Sequence, residues 1–288
     1  MSLAAQALLG LLGLLAAFFI WRWIAIERRR PREPAPPRGL LHSATGFVTN
    51  FFDTLGVGSF APTTSVFKLL RLVPDERIPG TLNAGHALPT IAQALIFIAA
   101  VSVDPVTLVA MIGAAVLGAW AGSGLVARLP KHAIQIGMGV ALLCAAALFV
   151  LGIVEWIPAG GDALRLRGPL LAIAVGCNFV LGALMTLGVG LYAPCLILIS
   201  LLGMNPIAAF PIMMGSCAFL MPVAGLRFIA AQRYDVRAAL GLALGGIPGV
   251  LIAAFIVKQL PLLWLRWLVV AVVTYTAIAM LRSARTRP

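Results

Sequence analysis

Apolar residues dominate this chain in long runs, and polar ones gather in short segments between them. Runs at about 82–103, 105–127, 133–154, 207–226, 238–257 and 260–281 each hold roughly twenty residues, the length at which an α-helix crosses a hydrocarbon layer about 30 Å thick. Residues 2–21 are uncharged and the arginines follow, at Arg22 and at Arg28, Arg29 and Arg30. That order reverses a secretory signal peptide and predicts a retained anchor helix running from outside to inside. Glu27–Gly39 then holds five arginines and four prolines (Pro31, Pro34, Pro36, Pro37), a composition that favours extended backbone and builds no core. It reads as a cytoplasmic linker. Two further stretches, 41–73 and 169–203, are longer and broken by glycine and proline.

The broken stretches are copies of each other. Thr54–Pro62 (TLGVGSFAP) and Thr186–Pro194 (TLGVGLYAP) agree at seven of nine places with an offset of 132. The same offset pairs Pro74 with Pro206 and Pro79 with Pro211, and an offset of 131 pairs Asp104 with Asp235, Gly118 with Gly249 and Leu129-Pro130 with Leu260-Pro261. The chain therefore reads as an internal duplication. An anchor helix occupies 1–26 and the linker 27–40; the repeats span 41–154 and 169–282, joined by a loop at 155–168, with a tail at 283–288.

Charge bears on how the repeats are oriented. If both broken stretches dip into the membrane and return, seventeen Lys and Arg fall on the cytoplasmic side and four outside; if both cross fully, the split is fourteen to seven. Cytoplasmic loops are enriched in Lys and Arg, so re-entrant segments are favoured, and each three-helix repeat inverts the next. The expected fold is an all-α polytopic membrane protein of two inverted-topology repeats plus the anchor helix, N-terminus outside and C-terminus inside.

Composition removes the soluble alternatives. Of 288 residues 61% are hydrophobic and 10% charged, against about a quarter charged in an ordinary soluble domain, and the mean hydropathy is +1.04. The net charge of +12 lies in segments between spans, where it reports orientation and not nucleic-acid binding. Cys144, Cys177, Cys195 and Cys217 lie in apolar stretches without C-x-x-C spacing, so neither a disulfide framework nor a zinc site is indicated. No P-loop occurs, no nucleophile–base set is visible, Gly122-Ser123-Gly124 is too generic to argue for a serine hydrolase, and no cofactor is expected.

At membrane depth, non-helical backbone survives only where protein or an aqueous cavity satisfies it. Gly56-Val57-Gly58 and Gly188-Val189-Gly190 are the expected breaks, and the Ala-Pro that follows each, at Ala61-Pro62 and Ala193-Pro194, suits the first turn of a new helix. Two half-helix N-termini aimed at the midplane would hold an anion through free N–H groups and the positive dipole end. The alternative is that these glycines only permit close helix packing. Polar residues near the breaks supply further donors. The candidate substrate-binding set is Asn50, Thr54, Gly56, Gly58, Ser59, Thr63, Asn83, Thr186, Gly188, Gly190, Tyr192, Cys195 and Ser216. Asp53 and His86 are candidates for carrying a coupled proton; Asp53 equally suits a cap on the second half-helix or a partner for Lys68, and His86 an interhelical hydrogen bond. Cys195 and Cys217 also read as small packing residues, Asp104 and Asp235 as helix caps, and Arg227 as a side chain that reaches an anion or snorkels to headgroups.

With these residues in hand, the chain resembles the TauE/SafE family of sulfite exporters, whose halves each open with a glycine-rich, proline-ended broken segment followed by a small polar element. Here the openings are Gly46–Pro62 and Gly176–Pro194, and the small polar elements are Gly80-Thr81-Leu82-Asn83 and Gly215-Ser216. The resemblance covers roughly 41–281. It departs from the family pattern at Gly56-Val57-Gly58-Ser59, where many members carry three consecutive glycines, and at Asp53 and His86. What it implies is movement of sulfite, sulfonates or related sulfur anions across the bacterial cytoplasmic membrane. The expected activity is secondary transport by alternating access, with an anion channel or a membrane permease for an unrelated small anion as the alternatives, a membrane enzyme or assembly partner ranked below them, and a homodimer as a candidate assembly.

Overall fold

The computed structural model describes residues 3–29, 39–56, 58–74, 77–125, 161–185 and 190–257, with scattered positions within 132–154 and 267–285. Its elements are α1 (Leu3–Glu27), α2 (Gly39–Thr54), α3 (Phe60–Leu69), α4 (Ile78–Gly85), α5 (Ala87–Ala100), α6 (Pro105–Leu125), α7 (Gly168–Met185), α8 (Tyr192–Leu201), a 3-10 turn (Pro206–Ala208), α9 (Ala209–Ala230) and α10 (Val236–Val257). Among the described residues there is no strand, and five helices are long and apolar enough to cross a membrane: α1, α4 with α5, α7, α9 with its 3-10 turn, and α10. This is an all-α, multi-pass membrane protein. The expected spans 133–154 and 260–281, the linker, and the tail lie largely or wholly outside the described residues.

The second span differs from expectation in two ways. It begins at Ile78, not near 82, because Pro79 occupies the first turn of α4, where a missing N–H is harmless. It is also interrupted at His86, since Pro89 carries no N–H for the carbonyl of Gly85 and its ring crowds the preceding turn. The corresponding helix of the second half, α9, runs unbroken through Pro222.

Asp104 and Asp235 act as the expected caps. Thr107 N–H and Oγ1 donate to Asp104 Oδ2 at 3.0 and 3.1 Å, and Ala238 N–H donates to Asp235 Oδ1 at 2.8 Å. The Thr107 backbone N–H holds the Asp104 carboxyl below its ordinary range. Leu166 N–H in turn donates to Thr107 Oγ1, and Asp104 N–H to Leu164 O, so the segment just before α7 is tied to the start of α6.

Packing follows the register of the sequence duplication. The principal helix pairs are α2 on α10 and α6 on α7, so the first helix of each half lies on a helix of the other half, and these two pairings are repeat-equivalent. A Cβ on Gly118 would collide with the backbone of Phe179, and one on Gly249 with the backbone of Phe47; both the two glycines and the two phenylalanines are repeat-equivalent. Asn178 Nδ2 donates to Met111 O at 2.7 Å, and at the equivalent place Gly46 abuts Leu242 O. Small residues let these backbones approach. α1 stands outside the duplication and packs mainly on α9 and α5, held by Trp23 Nε1, which donates to Tyr234 Oη at 2.9 Å, and by the Tyr234 hydroxyl, which donates to Glu27.

Candidate functional site

Both broken stretches break where the duplicated motif lies. α2 ends at Thr54 and α3 begins at Phe60; α7 ends at Met185 and α8 begins at Tyr192. Ala61-Pro62 and Ala193-Pro194 occupy the first turns of α3 and α8, where proline forfeits no intrahelical bond. In the first break Gly56 and Gly58 adopt φ of +93° and +85°, a conformation L-residues reach only with strain.

The glycines of the breaks differ from those of the helix seams. At Gly46, Gly118, Gly182, Gly245 and Gly249 an added Cβ would run into backbone of a neighbouring helix. Among the described residues, the atom nearest a Cβ at Gly58 is Tyr192 Cβ, 4.0 Å away, and nothing lies within 4 Å of one at Gly190. Close packing therefore accounts for the seam glycines and not for Gly58 or Gly190. Because Gly58 faces Tyr192, the two breaks lie against each other.

Around them runs a buried polar network. Tyr192 Oη donates to Gln93 Oε1 at 2.6 Å, and Gln93 Nε2 donates to Asp53 Oδ2 at 2.8 Å and to Thr54 Oγ1 at 3.0 Å. Ser59 presents its hydroxyl and backbone N–H to the same carboxylate, so Asp53 also caps the half-helix starting at Phe60, as one reading of the sequence required. The side chain of Lys68 lies outside the described residues. His86, at the helix interruption, bridges two elements: Nδ1 lies 3.1 Å from Asn50 Oδ1 and Nε2 lies 3.1 Å from Thr63 Oγ1. Asn50 Nδ2 lies 2.9 Å from the same Nδ1, so either neutral tautomer satisfies both partners: Nδ1–H donating to Asn50 Oδ1 with Nε2 accepting from the Thr63 hydroxyl, or Nδ1 accepting from Asn50 Nδ2 with Nε2–H donating to Thr63 Oγ1. The interhelical bond expected of His86 is thus made.

The remaining candidates divide. Thr54 and Ser59 join the Asp53 cluster, Asn50 and Thr63 the His86 cluster, and Tyr192 the Gln93 link. Asn83, one turn before His86, donates from Nδ2 to Pro79 O, while its Oδ1 accepts no hydrogen bond from the described residues. Ser216 lies apart, accepting from Asn178 Nδ2 at 3.2 Å. Cys195 is buried at the base of α8, and Cys217 donates its S–H to Met185 Sδ at 3.3 Å, as packing thiols do. Thr186 and Gly188 lie outside the described residues, as does Cys144.

Gln93, which links the two breaks, stands outside the predicted set; its only sequence signal was an amide in an apolar span. The two halves are also chemically unlike. Repeat equivalence pairs Asn50 with Gly182, Asp53 with Met185, Ser59 with Leu191 and Thr63 with Cys195, so nearly all hydrogen-bonding capacity comes from the first half. No curated protein and no solved structure matches the chain. Residues 1–149 of the 288 match the family described as sulfite exporter TauE/SafE, a span that takes in the anchor helix, the first break and the Asp53 and His86 clusters, and the chain belongs to that family of membrane transporters.

Proposed function

We propose that this protein is a secondary transporter of a small sulfur-containing oxyanion, sulfite or an organosulfonate, bound where the two helix breaks meet and exposed to each side in turn. The observation that carries this reading is the pair of opposed breaks whose glycines, Gly58 and Gly190, have no backbone crowding them. Each break precedes a helix start whose free N–H groups and dipole favour negative charge, with the Tyr192, Ser59, Thr54 and Thr63 hydroxyls beside them. Asn50, Gly56, Asn83, Cys195 and Ser216, with Thr186 and Gly188, complete the proposed binding set. The halves 41–154 and 169–282 act as inverted repeats that rock against each other. The exchanged packing of α2 with α10 and α6 with α7 supports that relation. The ten-residue lengths of α3 and α8, about 15 Å each, support re-entrant segments, being too short to cross about 30 Å of hydrocarbon. The proposed setting is a bacterial inner membrane, N-terminus outside and C-terminus in the cytoplasm.

A carboxylate beside an anion site repels the anion unless it is protonated. Asp53 therefore takes up a proton when the anion binds, which links the two fluxes, while His86 holds the Asn50 and Thr63 side chains in place. The test is uptake of radiolabelled sulfite into proteoliposomes, with and without an imposed pH gradient, competed by organosulfonates, sulfate and chloride. Saturable, gradient-sensitive uptake competed by sulfur anions is expected, with gradient sensitivity lost in Asp53→Asn. Uptake that never saturates assigns a channel, and no uptake by folded protein removes sulfur anions from the reading.

A further inference from the structure

Between the two breaks the hydrogen bonds all run one way. Tyr192 of the second half donates its O–H to Gln93 Oε1, Gln93 Nε2 donates to Asp53 Oδ2 and Thr54 Oγ1, and the Thr54 hydroxyl donates to Asn50 O at 2.8 Å. The series thus ends on α2, whose buried residues are all polar or glycine. Gln93, fully buried on α5, carries it from one half to the other. The two registers of the duplication pair Gln93 with Ala224 or Gly225, so this amide has no second copy. Thr90, one turn earlier on α5, is also hydrogen-bonded to Tyr192.

Asp53 sets the direction. A carboxylate only accepts hydrogen bonds, so it holds the Nε2 end of the amide toward itself and leaves the Oε1 end for Tyr192. The Tyr192 hydrogen is then spent on Gln93 and is not offered to an anion. A carboxylic acid, by contrast, has a hydrogen to give. Placed on Oδ2, that hydrogen meets the Nε2 hydrogen head on. A half-turn of the amide about its last side-chain bond removes the conflict; that torsion is broad and roughly two-fold, and the turn exchanges donor and acceptor while keeping the shape of the group. Gln93 Oε1 then accepts from Asp53 and Thr54, and Nε2 donates to Tyr192 Oη, whose own hydrogen is released.

We propose that Gln93 is a positioning residue that reverses this series, so that protonation of Asp53 at the first break frees the Tyr192 O–H for the anion at the second. This rests on the reading of Asp53 as the proton-coupled carboxyl. Asp53 gains the proton that enters with the anion and becomes a carboxylic acid. The hydrogens of Tyr192, Thr54 and Gln93 change partners without leaving their own atoms, Thr54 turning its hydroxyl from Asn50 O to Gln93 Oε1. Ser59 donates to the same carboxyl. Among the described residues, the titratable groups around the series are Tyr192 and Cys195 of α8 and Cys217 of α9, within electrostatic range, and His86 before α5, whose ring is held by Asn50 and Thr63. The charged residues of α1, α9 and α10 stand toward the helix ends, at Arg22, Glu27, Arg227 and Arg237.

The test is infrared difference spectroscopy of the full chain in lipid vesicles, titrated with acid in the absence of anion. A carboxylic-acid band, absent in Asp53→Asn, is expected to rise with the same midpoint as a shift of the tyrosine C–O band that is absent in Tyr192→Phe. Gln93→Met keeps the length of the side chain and loses the amide; its carboxylic-acid band is expected to remain and its tyrosine shift to be lost. Sulfite added above that midpoint is expected to raise both signals together in the wild type. A tyrosine shift that survives in Gln93→Met overturns the reversal, as does a wild-type carboxylic-acid band that rises without the tyrosine shift. If Gln93→Met does not fold, Gln93→Asn, one methylene too short to reach both partners, decides by the same bands. Absence of an Asp53 band throughout the titration is a different failure: it removes the coupled proton itself, and the reversal with it.

Discussion

The contrast between seam and break glycines leads to opposite effects from one small perturbation, adding a methyl group. At Gly46 an ideal Cβ stands 2.6 Å from Leu242 O and Cα, against an ordinary contact of at least 3.4 Å. The shortfall of 0.8 Å must be met by moving α2 off α10, because the obstructing atoms are backbone. Overpacking of this kind costs about 1–3 kcal/mol, and the gain of roughly 0.5–1 kcal/mol from replacing glycine by alanine inside a helix offsets only part of it. Gly46→Ala is expected to be less stable by about 1–2 kcal/mol, a fall of about 2–8 °C in Tm. Gly190 has nothing among the described residues within 4 Å and no left-handed φ. Gly190→Ala should therefore be neutral or more stable by up to about 1 kcal/mol, through the lower entropy of the unfolded chain. Thermal unfolding in detergent micelles, followed by near-ultraviolet circular dichroism, measures both. The larger Gly190→Leu should keep the fold yet lose sulfite uptake, since it fills the space between the breaks. Gly190→Ala destabilised as much as Gly46→Ala would show that the break glycines are packing glycines, and the opposed-break site would fall with that result.

Three further outcomes follow from single contacts. Tyr192→Phe removes the 2.6 Å bond to Gln93 Oε1 and leaves a buried acceptor unpaired, so it should cost about 1–3 kcal/mol and raise the half-saturation concentration for sulfite in the uptake assay. Trp23→Phe deletes the indole N–H donor to Tyr234 and trims the buried bicyclic ring to a phenyl, so the loss in thermal unfolding should exceed the roughly 0.6 kcal/mol average for interhelical bonds in membranes because packing volume is lost as well. Asp104→Ala removes a cap and should destabilise by about 1 kcal/mol near neutral pH. Because the folded carboxyl lies below its ordinary value of 3.8, the wild-type advantage is full above that value and is lost as pH falls through the folded value. Tm of the two proteins should therefore converge at low pH and separate above about pH 5.

The breaks were legible because they violate a rule that lipid enforces: glycine pairs and Ala-Pro inside apolar runs, repeated 132 residues apart, leave few structural alternatives. The caps at Asp104 and Asp235 were legible because a carboxylate at the end of an apolar run has few other uses. The interruption at His86 was not, since Pro222 and Pro248 lie inside continuous helices and proline alone does not announce which outcome follows. Nor was the polar face of α2. Its residues are spaced among Phe47, Val48, Phe51 and Phe52, so the run averages as apolar, and only the helical period separates the buried polar positions from the rest. Gln93 was hidden for a related reason: its partners Asp53, Thr54 and Tyr192 are brought to it by tertiary packing, from 39 to 99 residues away.

The contact between Trp23 and Tyr234 sets an order on how the chain is made. The two residues are 211 positions apart, so at a synthesis rate of about 5–20 residues per second the first helix waits roughly 10–40 s for its partner. During that interval its inward side chains, Leu12, Phe19 and Trp23, rest against lipid at little penalty, being apolar. Glu27 can meanwhile remain in contact with headgroup water. The buried Tyr234 hydroxyl, by contrast, emerges when both of its partners are already in place. The clasp between α1 and the start of α10 therefore closes only once α9 has been inserted, and a ribosome stalled before that point would leave a first helix that is membrane-bound but lacks this contact.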